Sequence, residues 1–216
     1  ESAVIEYNYN VIDSNGGSAP QTATITITGT NDIPTVDSAI SVSTTKDAAS
    51  YTLDLLSDAT DVDSSDVLNV DGLTLDSGDA SGITINGNSL DVDPNAYSSL
   101  GANESVVIEY SYNIIDSNGG SVPQTATITI TGSNDAPTVS GAVTATQAEE
   151  DASFSVDLLE GASDPNTNDT LSVDNLTLDS GDASGVTINV NTLDIDPNAY
   201  NSLAVGESAV IEYNYN

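Results

Sequence analysis

The chain has 216 residues, in which 34 acidic side chains face one base, Lys46, for a formal net charge of −33 at pH 7. A field of this sign repels nucleic acid and anionic membrane surfaces, so neither is expected as a partner. The absence of His, Cys and Met excludes disulfides and the usual zinc, copper and iron–sulfur sites, and it leaves nucleophilic catalysis without its common groups, so we expect no enzyme.

The sequence repeats itself with a period of 103 residues. The decapeptide that begins at Glu1 returns with two substitutions at Glu104 and unchanged at Glu207, and 27 of the 33 residues in 1–33 recur identically in 104–136. A unit of this length is a domain and not a short solenoid repeat. We therefore predict three segments: the C-terminal part of a repeat (1–33), a complete repeat (34–136) and the N-terminal part of the next repeat (137–216).

The complete repeat shows the alternation that is typical of β-strands. Short strands separated by Asp, Ser and Gly turns are predicted near residues 39–45, 50–56, 67–75, 82–86 and 89–92. Asp93 and Pro94 then predict a single helical turn, with Asp93 as its N-cap. Two longer strands follow, and in both of them every second residue is predicted to point inward. Their inward residues are Val106, Ile108, Tyr110, Tyr112 and Ile114, and Ala126, Ile128 and Ile130.

Seven strands at this spacing predict an all-β fold of tandem immunoglobulin- or cadherin-like seven-stranded antiparallel β-sandwiches joined end to end. Strand parity then places loops 57–66 and 116–120 at the N-terminal end of the domain. Turns 46–49, 76–81 and 93–100 fall at the other end, together with the exit at 134–135. Stacked repeats would therefore bring the acidic loops of neighbouring domains together.

Calcium is the ion that such loops suit, since Ca²⁺ takes about six to eight oxygen ligands at roughly 2.3–2.6 Å. Within each loop, the spacing of Asp61 and Asp63, or of Asp164 and Asn166, directs alternate side chains to one side. At the first repeat boundary the candidate ligands are Asn31, Asp32, Asp61, Asp63, Asp66 and Asp116. At the second boundary they are Asn134, Asp135, Asp91, Asp93, Asp164, Asn166 and Asp169. An EF-hand is excluded, because its central Gly and terminal Glu are absent.

Some of these acidic residues have a simpler explanation. Asp116 and Asn118 suit a turn without any metal, since Asp and Asn side chains stabilise turns through their own hydrogen bonds. The same holds for Asp76 and Asp79. For the linker pairs the alternative is a solvated hinge; we favour calcium there, because an uncompensated acidic hinge would push the domains apart.

Four segments resemble the VCBS and cadherin-like tandem repeats of giant bacterial RTX adhesins: 116–120, 125–138, 150–159 and 193–200. The resemblance covers the whole chain. It implies an extender arm between a membrane-anchored end and a distal ligand-binding region, on bacteria that form biofilms or adhere to ice or other cells.

The resemblance to cadherins also assigns roles to individual residues. It places the pairs 31–32 and 134–135 at the cadherin linker motif, 61–63 at its D-x-D motif, and Asp93 near its acidic helix-turn motif. Glu150 becomes a further candidate ligand. If Glu149 or Glu150 binds calcium, the complete repeat has only Asp47 to offer in their place, because Lys46 takes the other position.

The predicted function is therefore an extracellular spacer on the bacterial cell surface, rigidified by Ca²⁺ at the junctions. Its partners would be the neighbouring repeats of the same chain, and the distal ligand (surface, ice, glycan or cell) would be bound by other domains. No apolar run approaches the length of a membrane span, so no direct membrane insertion is expected. The alternative is a glycan-binding or homophilic cell-adhesion module, but near-identity between repeats favours a spacer, which needs only copies.

The segment 137–216 lacks the second long strand of a repeat, which would leave a sheet edge open. We expect either a neighbouring molecule or a longer chain to complete it, and the sequence leaves both open.

Overall fold

The computed structural model describes all residues, Glu1–Asn216. They form two compact units. The first unit contains residues 1–43, 50–93 and 106–129. The second unit contains residues 44–49, 94–105 and 130–216.

The chain begins with a long hairpin of two antiparallel strands, β1 (Ser2–Ile12) and β2 (Ser18–Thr28). The turn between them is closed by Asp13, whose Oδ1 accepts hydrogen bonds from the backbone N–H groups of Asn15 and Gly17 at 2.9 and 2.7 Å. A side chain that binds the backbone two and four residues further on stabilises such a turn. The same five residues, Asp-Ser-Asn-Gly-Gly, recur at 116–120.

The next nine strands lie within residues 34–136, the segment predicted to be a complete repeat. They are β3 (Thr35–Val36), β4 (Ile40–Thr45), β5 (Tyr51–Asp54), β6 (Ala59–Thr60), β7 (Asn69–Ser77), β8 (Ile83–Asn86), β9 (Ser89–Val92), β10 (Ser105–Ile115) and β11 (Ser121–Thr131). A 3₁₀ helix, Pro94–Tyr97, lies at the predicted helical turn.

Seven of these strands make two sheets. One sheet has the order β4-β11-β10-β7, and the other has the order β5-β9-β8. The remaining strands, β3 and β6, pair with each other over two residues. Strand β10 runs closely against β7: a Cβ at Gly78, whose φ is +91°, would lie 2.2 Å from the Val107 carbonyl oxygen, so only glycine fits.

The core lies along β10 and β11, where every second side chain is buried. The buried hydrophobic members are Ile108, Tyr110, Tyr112, Ile114, Ala126, Ile128 and Ile130, and Leu55, Leu90 and Val92 join them from the other sheet and its flanking loop. Burial of each Leu, Ile or Val side chain in this set contributes about 1.5–3 kcal/mol to the stability of the fold. Tyr112 donates its hydroxyl to the Leu55 carbonyl at 2.9 Å, which satisfies the one polar group that this ring carries into the core.

The last segment repeats part of this pattern. Its strands are β12 (Thr138–Val139), β13 (Phe154–Asp157), β14 (Ala162–Ser163), β15 (Thr177–Ser180), β16 (Val186–Ile188), β17 (Thr192–Ile195) and β18 (Glu212–Asn214). The sheet β13-β17-β16 corresponds to β5-β9-β8, and the pair β15-β18 corresponds to β7 and β10. Asp196 caps the 3₁₀ helix Pro197–Tyr200 by accepting the backbone N–H of Asn198.

The architecture is all-β and built from antiparallel sheets, as predicted. None of the helices has the length and apolar character that crossing a membrane requires.

Candidate metal centre

The loop after β6 gathers three carboxylates. The backbone N–H of Asp63 donates to Asp61 Oδ1 at 2.8 Å, and the N–H of Asp66 donates to the Asp63 carbonyl at 2.9 Å. These bonds fold the loop so that one carboxylate oxygen from each of Asp61, Asp63 and Asp66 lies within 4.8 Å of the others. All three residues are half-buried, and they form the only group of three acidic residues placed to hold a metal ion.

The linker that precedes β3 is hydrogen-bonded to this loop. The backbone N–H of Asp32 donates to Asp63 Oδ2 at 2.8 Å, and the Asn31 amide donates to Asp116 Oδ2 at 3.0 Å. The structure thus brings together the whole candidate set for the first repeat boundary. We call it the first-linker site: Asn31, Asp32, Asp61, Asp63, Asp66 and Asp116.

Two carboxylate oxygens of the first-linker site have no hydrogen-bond donor. Asp61 Oδ2 and Asp66 Oδ2 are both buried and unpartnered, although the second oxygen of Asp66 accepts from the Ser117 hydroxyl and the Asn118 amide at 3.0 and 2.6 Å. Burying a carboxylate oxygen without a partner costs folding free energy unless a cation or a hydrogen-bond donor compensates its charge. The donor set consists of hard oxygens, which is the chemistry that Ca²⁺ selects, so the residues present fit this ion.

Asp116 has a second role in the same site. Its Oδ1 accepts the backbone N–H groups of Asn118 and Gly120 at 2.8 and 2.7 Å, which closes the turn between β10 and β11. The pKa of Asp116 is lowered, first by the Asn31 amide and then by these backbone donors. The turn-forming explanation of Asp116 is therefore seen directly, while its Oδ2 still faces the linker.

The second linker has the same backbone geometry. Asp164 Oδ1 accepts the N–H of Asn166 at 2.8 Å, and Asn166 Oδ1 accepts the N–H of Asp135 at 2.7 Å. These two bonds correspond to those made by Asp61, Asp63 and Asp32. The difference is that Asn166, which is only 1% exposed, stands where the first loop has Asp63.

At the second linker, the side chain of Lys46 places a positive charge beside Asp135. Lys46 is 2% exposed and forms the only salt bridge of the chain, with Asp135. Its ammonium donates to Asp135 Oδ2 and to the Ser98 carbonyl, the latter at 3.2 Å. The Lys46 ammonium lowers the pKa of Asp135, and the Asn166 amide, which donates to Asp135 Oδ2 at 3.1 Å, adds to this effect.

Sequence reasoning missed one carboxylate here, that of Glu104. Its two oxygens accept the backbone N–H of Gly101 at 2.7 Å and the amide of Asn168, and both bonds lower its pKa. Asp169 lies close by, because a Cβ placed on Gly101 would meet Glu104 Oε2 at 3.5 Å and Asp169 Oδ1 at 3.6 Å. The available signal was a Glu at the same position in all three copies, at residues 1, 104 and 207.

We call the second-linker site the group Lys46, Glu104, Asp135, Asp164, Asn166 and Asp169. Asn134, which adjoins it in the linker, is exposed, and its amide donates to the Asp135 carbonyl at 2.8 Å.

The other predicted ligands have different surroundings. Asp91 lies on β9 and accepts hydrogen bonds from Thr52 and Asn86 at 2.6 and 3.0 Å, which lower its pKa. Asp93 accepts the hydroxyl of Ser50 at 3.1 Å. Within their unit, both carboxylates thus have partners around the three-stranded sheet.

Glu150 is exposed in a turn. It is the preceding residue, Glu149, that has a buried and unpartnered oxygen, Oε2.

A family model described as the cadherin-like domain matches residues 30–131 and 133–208, which is most of the chain. The chain therefore belongs to the cadherin-like domain family. Domains of this family generally bind Ca²⁺, and the family is not an enzymatic one.

Several solved cadherin ectodomains are similar to the chain at a low level. The human desmocollin-1 ectodomain has 16% identity and a TM-score of 0.36, with 92% of this chain and 39% of that chain covered. Extracellular cadherin domains 1–4 of protocadherin gamma B7 have 12% identity and a TM-score of 0.41, with 91% of this chain and 58% of that chain covered. Drosophila N-cadherin EC1–4 has 13% identity and a TM-score of 0.34, with 89% of this chain and 49% of that chain covered. The chain thus spans between 39% and 58% of the length of these structures. No curated protein matches it.

Proposed function

We propose that this chain is an extender segment of a bacterial surface adhesin, in which Ca²⁺ bound at the repeat boundaries holds successive sandwiches in a fixed relation. The observation that carries the proposal is the first-linker site, where buried Asp61 Oδ2 and Asp66 Oδ2 lack donors in a cluster that the linker itself contacts. We propose the repeat boundaries at 33/34 and 136/137, so that each linker belongs to the end of its repeat.

Electrostatics explains why a cation would control the linker. With a net charge of −33, neighbouring acidic loops repel one another unless counter-ions neutralise them. A Ca²⁺ ion at the first-linker site would be held by Asp61, Asp63 and Asp66 from the loop, with Asn31 and Asp32 of the linker beside them. Such an ion replaces repulsion with metal–oxygen bonds that join the linker to the following domain.

The resemblance to giant RTX adhesins supports the bacterial cell surface as the location and a distal domain as the ligand-binding part. Extracellular calcium modules bind on the order of 10⁻⁴ to 10⁻³ M Ca²⁺. Sites in this range would fill outside the cell and empty in its interior, so the extender would become rigid only after export.

Small-angle X-ray scattering of the 216-residue chain tests this role. We expect the distribution of interatomic distances to sharpen and flexibility to fall when Ca²⁺ replaces EDTA, with Mg²⁺ at equal ionic strength as the control for simple charge screening. Identical scattering in Ca²⁺ and EDTA would rule out calcium as the stiffening agent.

A further inference from the structure

The one base of the sequence lies in the second-linker site. Lys46 is 2% exposed, and its ammonium donates to Asp135 Oδ2 and the Ser98 carbonyl. A lysine ammonium is rarely buried this deeply unless its charge is paired. Its partner is an acidic residue of the linker, the element that we propose calcium to fix.

The repeat places an opposite charge at the same position. Lys46 corresponds to Glu149 at the period of 103 residues. Glu149 Oε2 is buried without a donor, whereas the Lys46 ammonium has acceptors. One repeat thus supplies its own positive charge where the next repeat presents a carboxylate oxygen that needs one.

A second substitution acts in the same direction. Asp63 of the first linker is replaced by Asn166, whose amide donates to Asp135 Oδ2 at 3.1 Å and to the Leu100 carbonyl at 3.3 Å. The second-linker site therefore has one carboxylate fewer than the first-linker site, and Asp135 accepts from both the Asn166 amide and the Lys46 ammonium. Both changes reduce the need for an external cation around Asp135.

We propose that the Lys46 ammonium is a built-in cation that replaces one Ca²⁺ ion in the second-linker site, so that this linker keeps its structure at calcium concentrations that empty the first-linker site. The inference deepens the calcium role proposed above and rests on it. The second linker keeps the carboxylates of Glu104, Asp164 and Asp169, so it would bind fewer Ca²⁺ ions than the first linker.

The second linker would depend less on calcium because its positive charge is covalently attached to the chain. The ammonium is attached to the backbone of the same unit, so its local concentration near Asp135 does not depend on the calcium in the medium. A Ca²⁺ ion at Asp135 Oδ2 would have to displace this ammonium or lie against it, and like charges repel. Parent chains that mix Lys and Glu at this position would have linkers of graded calcium dependence.

The unmodified chain permits a direct test, because Lys46 is its only lysine. We expect an amine-acylating reagent to modify Lys46 at least about tenfold more slowly in the folded chain than in the urea-unfolded chain. The folded chain should show this protection both in EDTA and in Ca²⁺, and the N-terminal amine serves as the internal reference. Acylation at the unfolded rate in EDTA, or acceleration by Ca²⁺, would overturn the proposal, since the ammonium would then be free or displaced.

Counting bound calcium by equilibrium dialysis gives a second test. We expect Lys46→Glu, which recreates the arrangement at Glu149, to bind one Ca²⁺ more than the unmodified chain and to lose stability in EDTA. Lys46→Arg retains the positive charge and should gain no ion. Ala49→Glu, which adds an exposed carboxylate to the same turn, is the matched control and should also gain none.

These counts separate the two proposals. If Asp61→Asn/Asp63→Asn removes bound calcium but Lys46→Glu adds none, the inference about Lys46 is wrong and the calcium role stands. If the unmodified chain binds no calcium, the calcium role at the first linker is wrong, and the inference about Lys46, which rests on it, is wrong as well. Should Lys46→Glu fail to fold, the acylation rates of the unmodified chain still decide.

Discussion

The two linkers share one backbone scaffold and differ in where the positive charge comes from. The Asp32 N–H binds Asp63 Oδ2 at 2.8 Å, and the Asp135 N–H binds Asn166 Oδ1 at 2.7 Å. The first linker leaves buried carboxylate oxygens without donors, while the second surrounds Asp135 with an ammonium and an amide. A single repeat pattern can thus build linkers that need external cations to different degrees.

The largest effect is expected from removing the charges of the first-linker site. Asp61→Asn/Asp63→Asn/Asp66→Asn should abolish the stabilisation that calcium gives through the first-linker site, which amounts to about 2.7 kcal/mol at a calcium concentration of a hundred times Kd. In EDTA the same variant should be more stable than the unmodified chain, because mutual repulsion is gone. Denaturant unfolding in Ca²⁺ and in EDTA measures both.

The control for this variant is Asp71→Asn, which removes an exposed charge on β7 outside the site. It should keep the full response to calcium. An equal calcium response in the triple variant would show that these carboxylates are not the ligands.

The next effect comes from making the second linker like the first. Asn166→Asp deletes two donated hydrogen bonds and adds a carboxylate at a position that is 1% exposed, beside Asp135. We expect a loss of about 1–3 kcal/mol in EDTA. Calcium should restore much of the lost stability, since the variant gives the second loop the Asp-x-Asp spacing of the first loop.

Asn201→Asp, at an exposed position next to the second 3₁₀ helix, is the matched control, and it should change stability little. If Asn166→Asp is equally unstable in calcium and in EDTA, the second linker cannot be converted by its charge alone.

The smallest effect is expected in the sandwich core. Measuring it tests whether the difference in calcium dependence is confined to the linkers. Burial, with a contribution from the Asp54 charge, raises the pKa of Tyr112 to about 12. A group with a raised folded-state pKa contributes stability below its ordinary pKa of about 10 and loses it as the pH rises toward the folded value. Stability should therefore fall between pH 10 and 12 in a titration monitored by circular dichroism.

Tyr112→Phe should flatten this alkaline decline and cost about 1 kcal/mol at neutral pH, because the bond to the Leu55 carbonyl is lost. The counterpart in the third segment, Tyr215, makes a longer bond of 3.2 Å to the Leu158 carbonyl, so Tyr215→Phe should cost less. Neither variant should alter calcium binding. A changed calcium response in Tyr112→Phe would mean that the sandwich core and the linker sites are coupled.

Much of the fold could be predicted from the sequence because its signals are local. The alternation along β10 and β11 fixes which face is buried, and the short strands fall near their predicted positions because Asp, Ser and Gly turns delimit them. The Asp-x-Asp spacing, together with antiparallel strand parity, was enough to group the residues of the first-linker site.

The second-linker site was harder to predict because its contacts are distant in sequence. Lys46 and Asp135 are 89 residues apart, and no spacing rule indicates that a lone lysine folds inward to meet a linker carboxylate. Glu104 was missed because its partners, Gly101 and Asn168, come from both sides of the linker. At the turn near Glu149 and Glu150, the pattern could not indicate which of the two points inward.

Amide hydrogen exchange at Asp32 and Asp135 tests the central claim most directly, because these N–H groups make corresponding hydrogen bonds in the two linkers. Removal of calcium should speed exchange at Asp32 strongly and leave exchange at Asp135 nearly unchanged. Equal acceleration at both amides, or a larger change at Asp135, would contradict the account.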